Sequence, residues 1–229
     1  MLAGGVAAGL GFWLAERHGR HPMLPPSFLA HRVRAATVMS AGLMGFVFYG
    51  TLFVMSLYFQ QLRGGSAGSA GIALLPLTAS STIGPLILYR PLSRRYGHPV
   101  MLTAGFACCA LGTATLGWLG PRTPYPVAMT GLLLTGAAST IAFSALTSLL
   151  MSTTAAHQAG LGAGLQNTTR QAGALIAVSI LGSVLNTTST TGHLPAAFVI
   201  LGTADIAGIT LGVTVLRAQK PIPNPGAPP

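Results

Sequence analysis

The chain has 229 residues, 51% of them hydrophobic and only 6% charged, against about 25% charged in soluble globular proteins. Too few charges remain to coat a water-facing surface, which excludes a soluble globular domain and marks an integral membrane protein. Twelve Lys and Arg against two acids give a formal net charge of +10. They fall between apolar runs rather than in a basic stripe with interleaved aromatics, so the charge points to a lipid bilayer and away from nucleic acid.

Residues 1–15, MLAGGVAAGLGFWLA, are apolar but shorter than the roughly 20 residues a spanning helix needs. They lack the basic lead and cleavage site of a secretory signal and end beside Trp13. They read as the end of a truncated transmembrane helix, as in a fragment or a late start. Residues 16–34, ERHGRHPMLPPSFLAHRVR, form a basic loop. A six-helix transmembrane bundle is predicted over 35–217, with spans at 35–58, 69–89, 99–120, 126–151, 168–186 and 194–216. The first two spans are joined by a turn in LYFQQLRGGSAGSAGIALLP, residues 57–76, and the next two flank a tight basic loop, RPLSRRYGH. Residues 121–125 make a minimal turn, 152–167 are polar and glycine-rich, and the proline-rich tail 218–229 cannot form a packed helix. The apolar runs show no two-residue alternation, so the fold class is all-α and not a barrel.

Alternate loops lie on opposite sides of a membrane. Arg17, Arg20, Arg32, Arg34, Arg90, Arg94, Arg95, Arg170, Arg217 and Lys220 fall on one side, Arg63 and Arg122 on the other. That split of ten to two makes the first side cytoplasmic. The turn at Gln60 and Gln61 then faces outward and the C-terminus lies inside. Small-xxx-small spacing at Gly160/Gly164 and Gly208/Gly212 predicts close helix packing. Pro76 and Pro85 predict bends in the second span. The adjacent Cys108 and Cys109 point about 100° apart on a helix and suit neither a disulfide nor a metal.

Three motifs in order carry a family resemblance: ERHGRHPMLPPSFLAHR, the hairpin LYFQQLRGGSAGSAGIALLP, and HQAGLGAGLQNTTRQAGALIAVSILGSV. Together they resemble the C-terminal half of a major facilitator superfamily transporter, in the 14-helix drug:proton antiporter branch. The resemblance implies one complete six-helix bundle preceded by the end of a further helix. It also implies export of drug-like or lipophilic small molecules from the plasma membrane, with the proton gradient as coupling source and no other cofactor. The loop RPLSRRYGH is similar to a decayed copy of a family loop motif. Leu92, Arg95 and Gly97 match it, Arg90 stands where the motif has Gly, and Arg94 stands where it has Asp. Without that Asp the loop is expected to anchor at phosphates.

Asp205 is the sharpest candidate, because a mid-bilayer carboxylate costs roughly 2.5–3.5 kcal/mol on insertion scales. It either carries a proton, pairs with a cationic substrate, or is held by Thr203 or a neighbour's hydroxyl. Arg170 either gates a cytoplasmic opening or snorkels to lipid phosphate. Asn167 and Gln171 are candidates to line the cavity, and Gln60 and Gln61 either line an outer mouth or simply hydrate the turn. An enzyme is excluded: the two acids are far apart, and there is no nucleophile elbow or phosphate-cradling glycine loop. Alternating access needs two bundles around a midplane site, so the partner is a missing N-terminal half or a second copy. The competing readings are a truncated inactive fragment and a half-size membrane scaffold.

Overall fold

A computed structural model describes residues 31–185 and 190–218 and, of 190–193, the backbone alone. The predicted helix end at 1–15, most of the loop 16–34 and the tail beyond Ala218 lie outside the described residues. Among those described there is no strand, and six helical spans are long and apolar enough to cross a membrane. They are α1 (Arg32–Leu62), α2 (Ala67–Tyr96), α3 (His98–Gly117), α4 (Tyr125–Thr153), α5 (Ala156–Leu185) and α6 (Thr190–Ala218).

Helix is the state that closes every backbone hydrogen bond within one segment, as an apolar medium demands. Many of the Ser and Thr side chains close theirs locally as well, although the Ser40, Thr51 and Thr135 hydroxyls are buried with no hydrogen-bond partner. On α4, Ser139, Thr140, Ser144 and Ser148 each donate to the carbonyl one turn back, at 2.6–3.0 Å. Such back-bonding lets hydroxyls sit in a buried helix without orphaned donors.

Three of the spans run past their apolar stretches, α1 by taking in Arg32 and Arg34 at one end and Gln60 and Gln61, expected in the turn, at the other. α2 continues through the basic segment predicted as a loop, to Tyr96. The chain reverses only at Gly97, whose φ of 81° and ψ of 160° suit glycine alone. α5 begins at Ala156, well before the predicted Thr168, so Arg170 stands mid-helix rather than near a mouth. Within α2 the α-helical stretch is interrupted at Leu74, ahead of Pro76, and widens to a π turn over Pro85–Tyr89. A wide turn absorbs the donor that Pro85 lacks. α1 also ends in a π turn, Tyr58–Leu62.

α1 and α4 pack against each other at the centre. α5 packs on α1, α2 packs on α4, and α3 and α6 lie together behind them, α3 against α4 and α6 against α1. This leaves one broad face formed by α2, α4, α1 and α5 in that order. The two flanking helices are the least covered: Leu86 on α2 is 73% exposed and Leu175 on α5 is 71% exposed. Behind that face, Gly208 admits the Phe106 ring and Gly212 admits Thr103, as their spacing predicts. Gly160 and Gly164 do not pack: a Cβ there would meet nothing within 4 Å. Their spacing alone puts small residues on one stripe but supplies no neighbour.

The end of the bundle that carries the α1–α2 and α3–α4 turns is clasped. Tyr58, fully buried, donates to the Gly120 carbonyl at 2.9 Å. Arg63 donates to Tyr58 Oη at 3.1 Å and to the Thr123 carbonyl, and its guanidinium lies 5.4 Å from the Tyr58 ring centre.

Candidate functional site

The open face is built around a close crossing of α1 and α5. A Cβ on Gly45 would collide with the backbone carbonyl of Arg170, and one on Gly173 would collide with the carbonyl of Gly42. Glycine at both positions lets the two backbones touch, and this contact brings Arg170 against Tyr49, a turn further along α1. Arg170 donates to Tyr49 Oη at 2.9 Å and to Asn167 Oδ1 at 3.0 Å. Its guanidinium carbon sits 5.6 Å from the Tyr49 ring centre and 5.4 Å from that of Phe143 on α4. Two rings on one cation give a geometry that holds its charge inside a weakly polar setting. Arg170 therefore turns into the bundle rather than out to lipid phosphate.

A cavity of about 90 Å³ opens beside this group, lined among others by Gly45, Tyr49, Ser139, Thr140, Phe143 and Arg170. Phe143 is also a wall of a groove of about 550 Å³ between α2 and α4, with Leu86, Tyr89, Ser144, Thr147 and Ser148. In that groove Tyr89 Oη lies 2.8 Å from Ser148 Oγ and 3.0 Å from His98 Nδ1. Nearby, the buried Gln166 donates to Thr147 Oγ1 at 3.1 Å.

Asp205 lies apart from this face, fully buried between α6 and α3. Its Oδ2 accepts from Thr113 Oγ1 at 2.9 Å, and Oδ1 makes no hydrogen bond. Thr203 bonds instead to the Ile200 carbonyl of its own helix. Thr113 Oγ1 is also 3.1 Å from the Cys109 carbonyl. The Thr113 bond to Oδ2 is available to either protonation state. As a carboxylate, Asp205 accepts the Thr113 proton; as an acid, it donates to Thr113, whose own proton then goes to Cys109. Cys109 Sγ in turn lies 3.3 Å from Ser139 Oγ, which borders the Arg170 cavity.

Of the sequence candidates, the structure brings Arg170 and Asn167 together and leaves Gln171 exposed on the same helix. Gln60 and Gln61 stand at the clasped end, where Gln60 donates to Ser56 Oγ on its own helix. Tyr49 and Gln60 are separated by about 16 Å of helix. Arg94 and Arg95 close α2, with the Arg95 guanidinium over the Tyr96 ring. Sequence reading missed Tyr49, Phe143, Ser139 and Gln166; it expected a neighbour's hydroxyl on Asp205 without naming Thr113. The usable signal was the polar ladder along α4 and an aromatic residue in mid-span beside glycines.

The family description "Major Facilitator Superfamily" matches residues 1–178. The chain belongs to the major facilitator superfamily. It is therefore a multi-pass membrane protein of a transporter family and not an enzyme. It is 29% identical over 225 residues to the puromycin resistance protein pur8 of Streptomyces alboniger, covering 95% of this chain and 44% of that protein. It is 27% identical over 200 residues to the methylenomycin A resistance protein of Streptomyces coelicolor, covering 85% and 41%. It is 29% identical over 185 residues to the tetracenomycin C resistance and export protein of Streptomyces glaucescens, covering 80% and 34%. The chain thus spans less than half the length of the curated relatives it matches.

Proposed function

We propose that this chain supplies the C-terminal half of a drug exporter in the plasma membrane, its C-terminus cytoplasmic. The exporter moves lipophilic small molecules by alternating access and draws on the proton gradient. The observation that carries this is the open α2–α4–α1–α5 face. It gathers a cation, a tyrosine, a row of hydroxyls and a groove at its centre, and flanks them with two mostly uncovered apolar helices. Polar groups framed by apolar rims suit a face that a second six-helix unit covers, with substrate held between the two. The relatives named for drug resistance and export support the substrate class, and the lipid bilayer is the medium.

The test is dye efflux from cells carrying this bundle joined to a first six-helix bundle, with and without a protonophore. Export that stops with the protonophore and is lost on Arg170→Gln supports the reading. Export indifferent to Arg170, Phe143 and Ser144 substitutions overturns the placement of the pathway on this face.

A further inference from the structure

We infer that the Arg170 pocket is an anion subsite, built to hold the carboxylate of an amphiphilic substrate whose apolar body lies in the adjoining α2–α4 groove. This rests on the transport reading and narrows its substrate class.

The argument begins with the hydrogen bonds of one side chain. A guanidinium has five N–H donors, and Arg170 directs hydrogen bonds to Tyr49 and to Asn167. Its Nε is buried and makes no hydrogen bond. Among the described residues the positive charge has no carboxylate counterpart either. Among the described residues Asp205 is the single acid, and it is held behind the face by Thr113. An uncompensated cation inside a bundle is costly, and the aromatic rings of Tyr49 and Phe143 offset this without consuming the remaining donors. Each terminal nitrogen keeps one further N–H, and an oxyanion placed against that pair answers the charge in the two-point fork with which guanidinium matches carboxylate.

Size selects what enters. The cavity of about 90 Å³ is too small for a drug-sized molecule, and a water takes about 30 Å³, so it suits a carboxylate head. The groove of about 550 Å³ beyond Phe143 falls within the range of small-molecule sites. A carboxylate tethered to an apolar body reaches both at once. A phosphate from an anionic lipid shares the oxyanion chemistry, and the test separates the two sources.

The purified full chain in phosphatidylcholine nanodiscs is titrated with a dansyl-labelled undecanoic acid and with the matching primary amide. The expected result is at least about tenfold tighter binding of the acid. Arg170→Gln should bring acid binding down to the level of the amide, and Arg170→Lys, which keeps the charge but not the fork, should retain part of the preference. Equal affinity for acid and amide in the wild type, or a preference that survives Arg170→Gln, overturns the subsite. So does loss of the preference when phosphatidylglycerol replaces part of the lipid, since the headgroup is then the ligand. Amide binding without acid preference removes the subsite and leaves the transport reading standing. Binding of neither probe removes both for this chain.

Discussion

Thr113 donates to Oδ2 of Asp205 at 2.9 Å across the α3–α6 contact, while Oδ1 of the same carboxylate makes no hydrogen bond. If Asp205 carries a coupling proton, that unpartnered oxygen is where it binds. Asp205→Asn mimics the protonated form. We expect it to abolish proton-driven efflux in the complete two-bundle transporter while leaving substrate binding in place. Efflux unchanged in the Asn variant would rule out a coupling role. Thr113→Val removes only the partner, and the interhelical bond lost is expected to cost roughly 0.6–1.7 kcal/mol, measurable by denaturant titration in detergent.

Gly45 and Gly173 set the distance between α1 and α5. Gly45→Val or Gly173→Val should force the helices apart at an overpacking cost of about 1–3 kcal/mol and pull Arg170 away from Tyr49. Thermal unfolding reads the first effect, and loss of acid preference in the dansyl titration reads the second. Full stability in both variants would show that the crossing is looser than described.

Tyr58→Phe removes the hydroxyl that joins Arg63 to Gly120. The Gly120 carbonyl keeps the Thr123 N–H at 3.2 Å, so the loss is that of the Tyr58 hydrogen bonds, and the bundle should be destabilised by about 0.5–1.5 kcal/mol. A loss below about 0.5 kcal/mol in the same unfolding assay would mean the clasp contributes little.

The ten-to-two distribution of basic residues predicts the orientation. A fluorescent protein fused after Pro229 should fluoresce, and alkaline phosphatase fused there should be inactive. Phosphatase inserted after Gly65 should be active. The reverse pattern would invert the topology.

In a Cys108→Ser, Cys109→Ser background, Leu86→Cys and Leu175→Cys should cross-link to a second six-helix unit in membranes. Val199→Cys on α6, 65% exposed, should not. Equal behaviour at all three positions would mean that the α2–α5 side faces lipid like the rest.

The six spans were legible because charge-free runs of bilayer length have few alternatives to helix. Their ends were less so. Arg90, Arg94 and Arg95 mark where α2 leaves the apolar stretch, not where its backbone hydrogen bonding stops, and Gly97 was the true stop signal. The glycine-rich lead into α5 has weak intrinsic helix propensity, which read as loop; in the fold it is helical from Ala156. Asp205 and Arg170 stood out because charges inside spans are rare. Their partners did not, because Tyr49 lies 121 residues before Arg170 and Thr113 lies 92 before Asp205. Such pairings are decided by which helices cross and where glycine lets them approach, and composition does not carry that information.

The clasp at Tyr58, Arg63, Gly120 and Thr123 fastens two hairpin tips at one end of the bundle. Towards the opposite end the Tyr89 hydroxyl does the same, 3.0 Å from His98 Nδ1 beside the Gly97 turn and 2.8 Å from Ser148 Oγ on α4. Side chains thus brace neighbouring helices near both ends of the bundle. A body tied at both ends keeps its shape when it tilts, so a change in the width of the open face falls at its seam with a second unit rather than within the bundle.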